Sequence, residues 1–185
     1  MTTDEPFGLL ITWTCYGTWL PGDPRGHVSN VLLPEGGFLP KQNEPRTPVA
    51  PGDEHTLHRA RELQKGPTVW LSPAEALSTA EALVASARQR QWHIPRAAVM
   101  ANHVHVVIVD CPADGPAVRR ILKGTSQAAL GEATGKRQRW WTAGGSDRYL
   151  HGPGAIAGAI RYVAAQARIL AEVVDMGPRA GSPPA

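Results

Sequence analysis

The sequence predicts an α/β sandwich of the α+β kind, a sheet with helices mainly on one face. Three observations carry that expectation. Phe7 to Tyr16 reads FGLLITWTCY, rich in β-branched and aromatic residues and closed by Gly17, as a core strand would be. Ser72-Pro73-Ala74-Glu75 has the residues of a reciprocal helix cap, with proline at the first helical position. Beyond these two, strand-like and helix-like segments alternate along the chain, which favours layers of sheet and helix over an all-helical bundle.

The first strand leads into residues 21–67, where eight prolines and six glycines leave little periodicity beyond a short helix at about His55 to Leu63. That stretch reads as an insertion within one domain spanning residues 1–176. A helix follows the Ser72 cap to about Gln91, with Ala76, Ala80, Leu83 and Ala87 recurring at helical spacing. Ile94 to Met100 and His103 to Val109 are short apolar runs parted by Ala101 and Asn102, giving either a hairpin or one strand with a bend before it. After Asp114 and Pro116, Val118, Ile121, Leu122, Thr125, Ala128 and Ala129 define an amphipathic helix whose outward face carries Arg119, Arg120 and Lys123. Arg139 to Leu150, with two tryptophans and Gly144-Gly145, reads as a short strand or a loop. A last helix is expected from about Pro153 to Val174, with Ile156, Ile160, Val163, Ala167 and Leu170 on one stripe, and 177–185, GPRAGSPPA, as a disordered tail.

Composition narrows the function classes. No apolar run approaches the roughly 20 residues that cross a bilayer. The acidic start MTTDEPFGLL lacks the basic region of a secretory signal, so a cytosolic protein is expected. Cys15 and Cys111 are too few for a disulfide framework or a four-cysteine zinc site and are expected as buried thiols. The formal charge of +3 is unevenly spread: between Pro116 and Tyr149 stand seven bases (Arg119, Arg120, Lys123, Lys136, Arg137, Arg139, Arg148) and only Glu132 and Asp147 as acids. Bases beside Trp140 and Trp141 suit a polyanion with stackable rings, although a solvated basic face has the same composition.

The chemistry-bearing residues lie elsewhere. His103 and His105, two apart in a strand, project from one face, where two imidazoles can share a metal ion. Two half-buried histidines with no ligand would satisfy the same spacing. Valine at position 107 removes the His-x-His-x-Asp pattern of one class of metallohydrolases. In the last helix Tyr162 and Gln166 are four apart and share a side, away from the Ile160 and Ala167 stripe. Taken alone they are an amphipathic filler and a solvated amide; beside the His-x-His strand they complete a constellation. His27, His55 and His58 are expected on the surface, and His55-x-x-His58 as a metal pair is disfavoured.

With MANHVHVVIV and Tyr162-Val163-Ala164-Ala165-Gln166 on the same chain, the sequence resembles the single-tyrosine HUH transposases of the insertion-sequence-200-like group and their REP-associated relatives. The opening ITWTCYGTWLPGDPRG is similar to the first strand and loop of a subset of these, and the resemblance covers roughly residues 7–175. It implies a ferredoxin-like fold and cytoplasmic, nucleoid-associated action on single-stranded DNA, often folded as a hairpin. It implies that His103, His105 and Gln166 ligate Mg²⁺ or Mn²⁺ and that Tyr162 is the nucleophile, forming a 5′-phosphotyrosine that a 3′-hydroxyl later resolves. A free phenol, with pKa near 10, is a weak nucleophile at neutral pH and needs activation; no base can be named from the sequence. Arg119, Arg120, Lys123, Lys136, Arg137, Arg139 and Trp140 would contact DNA.

Relatives occur both as monomers and as homodimers that exchange the tyrosine helix, and the sequence is compatible with either. Two departures stand out: the insertion at 21–67 exceeds what a minimal transposase of this group needs, and the REP-associated branch often has Asn where Gln166 stands. Alternatives from other classes are a domesticated DNA-hairpin-binding protein with no mobilising activity and a replication nickase, for whose usual extra domains 185 residues leave little room.

Overall fold

The computed structural model describes residues 7–24 and 52–181. Ten elements follow in order: β1 (Phe7–Thr14), α1 (Glu54–Glu62), α2 (Pro73–Gln89), β2 (His93–Val99), β3 (His103–Val109), α3 (Gly115–Thr134), β4 (Ser146–His151), α4 (Gly152–Ala164), β5 (Ala171–Val174) and β6 (Gly177–Ala180). The strands form one sheet in the order β4-β1-β3-β2-β5-β6, and every neighbouring pair is antiparallel. Most of the insertion expected at 21–67, with His27, lies outside the described residues, as do 182–185.

Local chemistry explains the helix ends. Ser72 and Glu75 form the reciprocal cap the sequence predicts: Ser72 N–H donates to Glu75 Oε2 at 2.9 Å and Glu75 N–H to Ser72 Oγ at 3.3 Å. Asp114 caps α3 by accepting from Ala117 N at 3.0 Å, and Gly135 ends that helix at φ 68°, a left-handed conformation that costs glycine nothing. Trp141 bridges to Cys15, so the stretch before β4 is an irregular arm lying along the end of β1.

Alternation along the strands divides the apolar residues between two faces. Leu9, Ile11, Val104, Val106 and Ile108 pack with Leu83 of α2 and Leu122 of α3 in the larger core. Leu10, Ala98, Val107 and Leu150 point the other way and are covered by Ala159 and Val163 of α4. The sheet is therefore sandwiched: α2 and α3 lie on one face, as expected, and α4 lies across the other.

The last third of the chain departs from the helix expected over 153–174. α4 stops at Ala164, and residues 171–174 form β5, with Ala171 and Val173 buried and their neighbours half-exposed. The helical stripe Ile156, Ile160, Val163 is real, but Ala167 and Leu170 fall outside the helix. Strand β5 covers the open edge of β2, which satisfies backbone groups that would otherwise face solvent. The expected disordered tail instead begins as β6, paired with β5 through a turn at Asp175 (φ 49°) and Met176 (φ 62°). Both positive values make it the hairpin turn whose twist matches the strands. Met176 tolerates this because its N–H donates to Ile94 O and its sulfur accepts from Ile94 N, both at 3.0 Å. Pro178 is tolerated because β6 is an edge strand.

Candidate metal and tyrosine site

β3 places His103 and His105 on the α4 face, two residues apart, in line with the buried Val107. Their rings meet edge to face, centroids 4.9 Å apart at 87°. His105 is buried, 7 % exposed, and burial followed by the proximity of His103 pushes its pKa down to about 4. At neutral pH that imidazole is uncharged, the form that ligates metals. Each ring is held through Nδ1: His105 Nδ1 lies 2.7 Å from Thr12 Oγ1, and His103 Nδ1 lies 2.7 Å from Asn102 Oδ1.

α4 brings the tyrosine. Ala159 and Val163 anchor the helix on the sheet, which leaves Tyr162 at the border of the contact. Its ring sits 5.5 Å from that of His105 at 78°, yet 52 % of the residue is exposed. A phenol thus stands in solvent beside a pair of imidazoles of its own chain. Gln166 lies just past the helix end rather than one turn up the same helix side; it is half-buried and its Nε2 donates to Tyr162 O at 3.1 Å. That bond uses the amide nitrogen, so the carboxamide oxygen is the atom that could ligate an ion. Among the described residues no three His, Cys, Asp or Glu side chains cluster as a metal site; the structure brings His103, His105 and Tyr162 together, whereas the contact it shows for Gln166 is to Tyr162 O. Neutral imidazoles and an amide oxygen are donors of a kind that divalent metal ions accept.

The basic residues are distributed differently from the expected DNA face. Arg119 forms a half-buried ion pair with Asp147. Lys123, expected on an outward face, donates to Thr142 O and, at 2.7 Å, to Gly144 O; burial, then repulsion from Arg119, lowers its pKa to about 8. Lys136 pairs with Glu75 at 3.0 Å, Arg139 lies over the Tyr16 ring at 5.5 Å, and Arg120 and Arg137 are exposed. Trp140, expected to stack on bases, is 1 % exposed, and Trp141 is 4 % exposed against Trp13. Both indoles are core, because the irregular arm before β4 does not alternate as a regular strand would, and neither ring face is open to a base. α3 itself lies on the sheet face opposite α4, so its bases do not flank the histidines. Arg148, a base of that segment outside the set the resemblance implies for DNA contact, does share their side: it pairs in register with Leu10, whose side chain packs toward α4.

Cys15 is a buried thiol, as expected, and Cys111 is half-buried. His55 and His58 are exposed on α1. No helix among the described residues is long and apolar enough to cross a membrane. No protein-family model, no curated protein and no solved structure matches this chain.

Proposed function

We propose that this chain cleaves and transfers single-stranded DNA through a covalent tyrosine intermediate, as a tyrosine HUH transposase does. The observation that carries the reading is the exposed Tyr162 ring standing 5.5 Å from His105, itself paired with His103. The element order supports the reading: apart from α1, the elements β1, α2, β2, β3, α3 and β4 run β-α-β-β-α-β with their strands lying 4-1-3-2, as a ferredoxin-like sandwich would, and α4, β5 and β6 follow.

His103, His105 and Gln166 would hold a Mg²⁺ or Mn²⁺ ion, which when bound polarises the scissile phosphate and stabilises the charge of the transition state. Tyr162 supplies the nucleophile. Its phenolic oxygen gives up its proton to solvent and forms a bond to phosphorus as the bond to the 3′-oxygen breaks; that oxygen takes up a proton from solvent and leaves as a 3′-hydroxyl. The tyrosyl phosphodiester retains the energy of the broken bond, so a second 3′-hydroxyl can displace Tyr162 and join strands without a nucleotide cofactor. In this reading Tyr162 acts beside the histidines of its own chain. Exposed Arg148 neutralises backbone phosphates on the site's own side.

The test is a denaturing gel of end-labelled single-stranded hairpin DNA incubated with protein and Mn²⁺. Wild type gives a covalent protein–DNA band that is absent with Tyr162→Phe and with His103→Ala. Tight DNA binding with no band under any metal would replace this reading with that of a domesticated DNA-hairpin-binding protein.

A further inference from the structure

We infer that Thr12 and Asn102 are positioning residues that hold His105 and His103 protonated at Nδ1, so that both rings offer Nε2 as the metal-ligating atom. The inference rests on the metal reading above for its purpose, but not for its geometry. Asn102 Oδ1, 2.7 Å from His103 Nδ1, is an acceptor only, so the ring nitrogen donates and its lone pair resides on Nε2. Thr12 sits directly opposite His105 in the β1–β3 register, and its hydroxyl reaches the same nitrogen of the second ring at 2.7 Å. Threonine is stiff about its first side-chain bond, so a strand-borne hydroxyl is a fixed support rather than a mobile one.

Both supports depend on the end of β1 and the residues that follow it. Asn102 sits in the turn between β2 and β3, and its backbone carbonyl accepts from Cys15 N at 2.8 Å and from Thr18 Oγ1 at 3.1 Å. Residues 12–18 therefore support both rings, one through Thr12 and one through the anchored turn. Metal-bound histidines are commonly oriented by such a partner on their second nitrogen, and losing it typically costs about 10–100-fold in metal affinity.

Two measurements test this. In metal-free protein labelled with ¹⁵N-histidine, long-range proton–nitrogen NMR at mildly alkaline pH should show His103 and His105 protonated at Nδ1. Thr12→Val, of equal volume and strand preference, should mix the tautomers of His105 alone, and Thr12→Ser should restore the single form. A wild-type His105 protonated at Nε2, or a Thr12→Val spectrum identical to wild type, overturns the inference. Electron paramagnetic resonance titration with Mn²⁺ then reads affinity without any DNA. Thr12→Val and Asn102→Ala should each weaken binding by roughly 10-fold or more, with Thr12→Ser binding as wild type does. Wild type that binds Mn²⁺ no better than Thr12→Val overturns the positioning role. Wild type that binds no Mn²⁺ while showing the expected tautomers removes the metal reading and leaves the tautomer assignment standing.

Discussion

The indole of Trp140 shares the larger core with Trp13 and Trp141, and its buried N–H has no hydrogen-bond partner among the described residues. Those facts make two substitutions informative. Trp140→Ala should cost about 3–5 kcal/mol in denaturant unfolding, the range for an emptied aromatic site. Trp140→Phe loses less, because it also removes an unsatisfied buried donor. Neither should alter DNA affinity in protein that remains folded; a selective loss of DNA binding by folded Trp140→Phe would return the ring to the interface. Single residues explain much of what the sequence concealed. The pairing of His103 with His105 was visible because two residues in a strand share a face, whatever the rest of the chain does. Thr12 was not, since 93 residues separate it from the imidazole it contacts and only the β1–β3 register joins them.

Among the elements, α3 carries a measurable titration. Lys123 has a folded-state pKa of about 8 against an ordinary 10.5, so its charged form is disfavoured in the fold. Between those values the unfolded chain holds the extra proton, and the contribution of this group to stability rises with pH across that window. Because the side chain is partly solvated, the rise should be about 1 kcal/mol. Unfolding at a series of pH values should show it in wild type and not in Lys123→Met; equal slopes would mean that the ammonium is solvated. Helix α2 offers a simpler test: Ser72→Ala removes the cap and should lower stability by about 1 kcal/mol. That helix was legible because its cap and apolar spacing agree. The end of α4 was not: Ile156, Ile160, Val163, Ala167 and Leu170 keep helical spacing past Ala164, while only four residues, 171–174, show the alternation of a strand. The turn into β6 was equally concealed, since Asp175-Met176 occupies positions that usually carry Asn-Gly or Asp-Gly.

Over the whole molecule the sheet separates two surfaces. The larger core, with α2 and α3, supplies most of the buried apolar material, whereas α4 covers the smaller core and carries Tyr162 beside the histidine pair. The basic segment evident in the sequence is thus divided between faces, and the charge count alone could not reveal that division. If DNA crosses the α4 side, Arg148→Glu should reduce covalent product far more than Arg120→Glu, with the gap narrowing as salt is raised. A larger loss with Arg120→Glu would place the strand on the α3 side. If Tyr162 becomes joined to DNA, mass spectrometry of proteolysed adduct after nuclease trimming reads it most directly. A nucleotide 5′-phosphate is expected on the peptide containing Tyr162 and on no other; the same mass on a peptide containing Tyr16 or Tyr149, or no adduct in any peptide with Mg²⁺ or Mn²⁺ present, would contradict a Tyr162 nucleophile.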